Sequence, residues 1–315
     1  MKNNIKNVAV IGTGVIGAGW IIRCLAHNKK VVAFDKDLKL KKRLVAEIKR
    51  TWPYVKKLFN KKKLNLKNFK YVTSIEEALK EADFIQECAT ENYRIKTKLM
   101  STIGKYSKPN AIISSSSSGL LPTRIYSKCK NPARAMIGHP FNPVYMCPGV
   151  EVVPGKKTKK VFLNKANKFY KSISMNPIMV KKELPGYLAD RLQEALWREA
   201  LHIVNEGYAS TKDLDRSIED GPGLRWSLMG IFLTYHLAGG KAGMKHMLEQ
   251  FGPALKLPWT KLKAPKLSKK LSSRVISGTR QQAKGKSVAM ISNIRDEYLV
   301  NLQKLRKKYE NKIRK

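Results

Sequence analysis

Short apolar runs alternate with longer stretches of helical period through the first half of this chain. Residues 8–11 form an apolar run that ends in a glycine cluster. Residues 17–27 follow it with Ile21, Ile22 and Leu25 on one side of a helix. A second buried-type run, residues 31–34, is closed by Asp35. Residues 38–58 form a lysine-rich helical stretch, and Pro53 within it predicts a break. Further short strands are predicted at 71–73, 82–85, 111–114, 133–138 and 150–154, with helices at 75–81 and 94–103 between them. Strands alternating with helices predict an α/β fold, a Rossmann-type, doubly wound and mainly parallel sheet.

Beyond Glu183 the period changes. Leu188, Leu192, Ala195, Leu196 and Ile203 keep helical spacing until Gly207, and residues 211–218 open another helix. Gly221, Pro222 and Gly223 make a turn, followed by apolar helical segments through Leu248. Pro253, Pro258 and Pro265 punctuate a loop-rich stretch before a final basic helix at 289–308. The pattern predicts two domains, residues 1–183 and an all-helical C-terminal domain at 184–315. No repeat is visible.

Chemistry enters at the first strand end. Gly12, Thr13, Gly14, Val15, Ile16 and Gly17 spell GxGxxG between a strand and a helix. Gly12 permits the tight turn, Gly14 lets a pyrophosphate approach the backbone, and Gly17 allows helix and strand to pack closely. The helix start then offers free N–H groups to phosphates. Asp35 stands 18 residues after Gly17, at the end of the second strand, where a carboxylate can accept from both ribose hydroxyls. Together these predict a dinucleotide site. Asp35 would repel a 2′-phosphate, which favours NAD over NADP, although Lys36 stands next to it.

Three further elements recur downstream. Ser114–Ser118 is a serine run following a strand, at the carboxyl edge where such sheets bind ligands. His139-Pro140-Phe141-Asn142-Pro143 ends the next strand, and Glu151 follows His139 by twelve residues. Oxidation of an alcohol needs a base for the hydroxyl proton while hydride departs. A histidine oriented by a carboxylate fits that need, because the carboxylate sets the tautomer and stabilises the imidazolium.

On residues 8–35, the segment with Glu91 and Lys96, residues 114–119, 139–143, Glu151 and residues 185–192, the chain resembles the NAD-dependent 3-hydroxyacyl-CoA dehydrogenase superfamily. Within it, residues 221–230, 232–240, 243–246 and 250–260 look most like the carnitine-oxidising branch. The resemblance implies His139 as general base, Glu151 as its partner, and Ser118 as hydrogen-bond partner of the reacting hydroxyl. It places Asn142 near the nicotinamide and Glu91 and Lys96 in the cofactor cleft. Acyl-CoA enzymes carry an asparagine where Asp190 stands, and a negative charge suits a thioester oxygen poorly. The substrate implied is L-carnitine, oxidised to 3-dehydrocarnitine.

Carnitine carries a quaternary ammonium, which aromatic faces recognise at about 0.5–2 kcal/mol each. Trp226 and Tyr235 are candidates for that role, with Arg225 beside them for the carboxylate. Aromatics at such spacing also serve as core or interface, and Arg225 has Glu219 and Asp220 within reach. A 3-hydroxyacyl-CoA dehydrogenase and an L-gulonate 3-dehydrogenase remain alternatives.

Composition changes the picture in one respect. Of 315 residues, 63 are Lys or Arg and 23 Asp or Glu, a formal charge of +40 that raises nucleic acid or an anionic surface as partner. The basic residues are spread along the chain without interleaved aromatics, so a solvated lysine-rich surface is expected rather than a nucleic-acid site. A structural or polyanion-binding protein on a retired dehydrogenase fold is the non-enzyme alternative. Retention of Ser118, His139 and Glu151 speaks against it. No apolar stretch reaches the roughly 18 residues of a membrane span. With no secretory core before residue 8 and no CxxC among Cys24, Cys88, Cys129 and Cys147, a cytoplasmic protein without a metal is expected. Apolar helical faces in the second half suggest a homodimer, as the resemblance also implies.

Overall fold

Each short apolar run of the first half falls in a strand, and the runs at the middle of the sheet are buried on both faces because helices cover it on either side. The computed structural model describes residues 5–61, 63–261 and 263–314. The strands are β1 (Asn7–Ile11), β2 (Lys30–Phe34), β3 (Phe69–Val72), β4 (Phe84–Glu87), β5 (Ile112–Ser115), β6 (Ala135–Pro140), β7 (Gly149–Pro154) and β8 (Asn176–Met179). They lie in one sheet in the order β3-β2-β1-β4-β5-β6-β7-β8. Strands β1 to β6 are parallel, so their carboxyl ends share one edge. The direction reverses at β7, which pairs antiparallel with β6 and parallel with β8.

Six helices connect these strands: α1 (Val15–Ala26), α2 (Leu40–Phe59), α3 (Ile75–Leu79), α4 (Tyr93–Tyr106), α5 (Pro122–Ile125) and α6 (Lys160–Ser172). On one face of the sheet Ile11, Ile85, Ile113 and Ile137 meet Leu79, Met100 and Ile103. On the other, Phe84 stacks on Phe169 of α6 at 3.9 Å, and Trp20 of α1 lies 5.6 Å from Tyr170. The predicted break at Pro53 does not occur. α2 runs through it, with Leu44, Ile48, Trp52 and Val55 buried along one face. That burial outweighs the one backbone bond and the steric clash that proline costs.

One polar side chain crosses this core. Arg23 of α1 is fully buried. It donates to the carbonyls of Val144, Cys147, Ile173 and Ser174 at 2.7–3.1 Å. Burial lowers its pKa to about 10, which still leaves it charged at neutral pH. The guanidinium therefore pins the loop between β6 and β7 to α1.

The chain divides into two compact units, Met1–Arg191 and Leu192–Lys315. The second is helical: it takes up most of α7 (Ala189–Glu206), then α8 (Thr211–Glu219), α9 (Pro222–Trp226), α10 (Ile231–Ala238), α11 (Gly243–Phe251), α12 (Lys269–Ala283) and α13 (Val288–Arg314). α8 opens with a capping box in which Ser210 and Asp213 exchange hydrogen bonds. α12 lies in the stretch expected to be loop, and is started by Ser268 accepting from the Leu271 N–H. No described helix is long and apolar enough to cross a membrane.

Candidate active site

Parallel strands bring the predicted residues to one edge. Strand order reverses between β1 and β4, and the glycine turn lies at that switch point. Gly12 has φ +99, and a Cβ there would meet the Cys88 carbonyl at 2.9 Å. A Cβ at Gly17 would overlap the Gly12 carbonyl oxygen. Gly14, by contrast, faces open space and starts α1 with no side-chain cap. Val15 is exposed and Ile16 half-buried, so the uncapped first turn is accessible. This is a cradle for phosphate oxygens: free N–H groups at a positive helix end and no side chain in the way.

Asp35 leaves the end of β2 and turns toward the glycine turn. Its Oδ2 accepts from both the N–H and the hydroxyl of Thr13 at 2.9 Å, while Oδ1 accepts from the Lys36 N–H at 2.8 Å. Thr13, unremarked in the sequence, is thus what fixes the acidic group beside the cradle. The residues present fit an adenine dinucleotide.

The serine run is partly strand and partly turn. Ser114 and Ser115 belong to β5, and Ser118 is exposed on the turn beyond it. Glu91 holds that turn: its Oε1 accepts from Ser117 Oγ at 2.5 Å, the Ser118 N–H at 2.9 Å and the Gly119 N–H at 3.4 Å. Lys96 lies beneath, almost fully buried. Its amine donates to both oxygens of Glu87 at 2.9 and 3.0 Å and to the Ala89 carbonyl at 3.0 Å, with Glu91 3.4 Å away. Glu87 also accepts from Ser115 Oγ and the Ala89 N–H. This buried lattice joins the ends of β4 and β5, and Glu87 gave no sign of itself in a strand that reads as apolar. Asn142 is exposed and precedes a cis proline, Pro143.

His139 and Glu151 are partners in the β6–β7 ladder. Direct opposition puts their side chains on the same face of the sheet. Nδ1 lies 2.8 Å from Glu151 Oε2. Glu151 Oε1 accepts from the N–H groups of Leu188 and Ala189, at 2.9 and 3.1 Å. A carboxylate accepts only, so Nδ1 carries the proton and Nε2 is left with the lone pair. The ring is held edge-on by Tyr187 at 5.6 Å and flanked by Phe141 at 5.8 Å. Tyr187 is fully buried with φ +44, and its hydroxyl donates to the Leu120 carbonyl at 2.6 Å. Burial raises its pKa, which keeps it a donor. Tyr187 thereby ties the imidazole to the serine turn. Asp190 Oδ2 lies 3.9 Å from Nε2, on the side away from Glu151.

Within the second unit, Arg225 and Trp226 end α9 and Tyr235 lies on α10, which packs against α9. Arg225 is exposed, Trp226 half-buried and Tyr235 half exposed. Asp220 pairs with Arg216 at 3.5 Å. His202 and His236 bond backbone groups, and no metal-binding cluster occurs among the described residues.

Residues 7–184 match the NAD binding domain of 3-hydroxyacyl-CoA dehydrogenase, and residues 186–278 match its C-terminal domain. The chain is 50% identical to an L-carnitine dehydrogenase of Oceanobacillus iheyensis over 298 residues, covering 95% of this chain and 97% of that protein. It is 48% identical over 296 residues to an L-carnitine dehydrogenase of Pseudomonas putida, covering 94% and 92%. Among solved structures, a 5-formyl-3-hydroxy-2-methylpyridine 4-carboxylic acid 5-dehydrogenase superposes with TM-score 0.80 at 22% identity, covering 96% of this chain and 99% of that one. An (S)-3-hydroxybutyryl-CoA dehydrogenase from Ralstonia eutropha gives 0.64 at 23% identity, covering 90% and 95%. At those identities the structural likeness shows the fold.

Proposed function

This chain belongs to the 3-hydroxyacyl-CoA dehydrogenase family, and we propose that, as an NAD-dependent dehydrogenase, it oxidises the 3-hydroxyl of L-carnitine to 3-dehydrocarnitine. The substrate reading is supported by identity of 44–50% over nearly the whole chain to relatives named L-carnitine dehydrogenase. The chemistry rests on one observation, the imidazole of His139 locked by Glu151 at the carboxyl edge of β6.

NAD, when bound, supplies the hydride acceptor. The glycine turn and the free N–H groups of α1 would hold its pyrophosphate, and Asp35 would accept from its ribose hydroxyls. His139 Nε2 takes the proton of the substrate hydroxyl. Glu151 keeps the other proton on Nδ1 and stabilises the imidazolium that results. The Ser118 hydroxyl, set by the grip of Glu91 on its turn, donates to the substrate oxygen. Asn142, Glu91 and Lys96 would line the cofactor cleft, with Asn142 on its nicotinamide side. The helical domain, residues 184–315, carries Trp226 and Tyr235 as candidates for the trimethylammonium group and Arg225 as a candidate for the carboxylate. That domain binds substrate and pairs two copies of the chain.

The test is NADH formation, followed by absorbance, with NAD and L-carnitine beside D-carnitine, L-gulonate and 3-hydroxybutyryl-CoA. Turnover with L-carnitine alone is expected. Preference for the CoA ester or for gulonate would overturn the substrate while sparing the His139–Glu151 pair.

A further inference from the structure

Two consecutive residues before α7 lie in the left-handed region, Gly186 at φ +69 and Tyr187 at φ +44. Glycine enters that region freely, but a bulky aromatic residue is strained there and stays only where its surroundings hold it. The bend serves both halves of the site at once. On one side the N–H groups of Leu188 and Ala189 turn onto Glu151 Oε1 at 2.9 and 3.1 Å, and the Tyr187 ring stands edge-on to His139 at 5.6 Å. On the other, the Gly186 N–H donates to the Gly119 carbonyl at 3.4 Å and the Tyr187 hydroxyl to the Leu120 carbonyl at 2.6 Å. Leu120 closes the serine turn: its N–H donates to Ser117 Oγ at 3.2 Å, and Ser117 donates to Glu91. Ser118 therefore sits in a turn gripped by Glu91 at its start and by Tyr187 at its end. The Tyr187 phenol is fully buried, and burial raises its pKa, so it stays protonated and acts as a donor rather than as an acid. All of these contacts lie within the first compact unit.

We propose that Tyr187 is a positioning residue, whose hydroxyl sets the distance between the base His139 and the hydroxyl of Ser118. The inference rests on the roles given to those two residues in the proposed reaction. There one substrate oxygen meets Nε2 and Ser118 Oγ together, each within about 2.6–3.2 Å. His139 lies in β6, held by the ladder, whereas Ser118 lies on the turn beyond β5, where strand pairing no longer fixes it. The ring and hydroxyl of Tyr187 share one rigid plane. A ring packed on the imidazole and a hydroxyl bonded to the turn therefore hold the two halves at one spacing. Misplacement by about 1 Å is enough to cost roughly 100-fold in turnover.

The experiment is a double-mutant cycle of Tyr187→Phe and Ser118→Ala in the full-length enzyme. It is run on whichever of L-carnitine, D-carnitine, L-gulonate and 3-hydroxybutyryl-CoA the wild-type enzyme oxidises, so loss of the carnitine reading leaves the test standing. Tyr187→Phe deletes only the hydroxyl and should lower kcat about 10- to 100-fold. Kd for NAD, measured by calorimetry, should keep its wild-type value, which also shows that the first unit is folded. In the Ser118→Ala background the same change should cost less than about 2-fold further, because the turn no longer has a hydroxyl to place. Equal losses in both backgrounds would put the effect of Tyr187 elsewhere and overturn the inference, as would wild-type kcat in Tyr187→Phe. A parallel loss of NAD affinity would assign the hydroxyl to the fold and overturn it too. A wild-type enzyme that binds NAD and oxidises none of the four would overturn the reading of the site first, and this inference with it.

Discussion

A histidine serves as a base at a chosen nitrogen only when its other nitrogen is occupied. At residue 139 that occupation is Glu151, itself satisfied by two backbone N–H groups. Replacing His139 by Asn should lower kcat by about 100- to 10,000-fold. NAD affinity, measured by calorimetry, should change little, because the glycine turn is untouched. His27 shows the opposite use of an imidazole. Its ring lies between the Arg23 carbonyl and Ser174 Oγ, and burial, aided by Arg23, Lys61 and Lys29, depresses its pKa from 6.5 to about 4. Above pH 6.5 the ring is neutral in both folded and unfolded chains. As pH falls from 6.5 toward 4 the unfolded chain takes the proton first, so stability is lost across that window. Urea midpoints at pH 7 and pH 5 should therefore fall further for the wild-type chain than for His27→Gln. His139, Glu151 and Asp35 were legible because each stands at a strand end where a polar residue breaks an apolar run. Thr13 and Tyr187 were not, since a hydroxyl in a turn and an aromatic in a helix approach look like ordinary filling until their partners are known.

At the scale of elements, parallel strands explain why residues from 12 to 139 converge, and the reversal at β7 explains why Glu151 can join them. The alternation of strand and helix made the first part visible. The reversal was hidden, because an antiparallel strand in a covered sheet is as apolar as a parallel one. α12 was hidden for another reason: the prolines before it, and a face of Ser, Lys and Arg, read as loop. Beneath the serine turn the Lys96–Glu87 pair is nearly dry. Lys96→Met should leave Glu87 buried without its cation and cost about 3–5 kcal/mol in denaturant unfolding. The double variant with Glu87→Gln should regain part of that loss. A full recovery of stability with persistent loss of activity would show that the pair acts on the serine turn rather than on the fold.

The whole molecule carries a formal charge of +40 and, in its second unit, large apolar side chains at the surface. Phe232, Leu255 and Trp259 are between 71% and 86% exposed. The proposed isologous pairing of two copies would cover that surface. Light scattering should report twice the 35.7 kDa of the chain, and Phe232→Glu should shift the mass toward one copy. A wild-type chain that scatters as a single copy at micromolar concentration would remove the dimer from the proposal. Retention on heparin should weaken steadily with salt, as expected for diffuse charge. Glu151 both steadies the imidazole and receives the two N–H groups at the entry to α7, the helix that carries the chain into its second unit. Under the proposed mechanism, mutational drift at this position cannot trade turnover for robustness, because the same two oxygens answer to both. Descendants of this chain that abandon catalysis will therefore keep the glutamate longer than the histidine, and its survival alone is poor testimony that an enzyme is still at work.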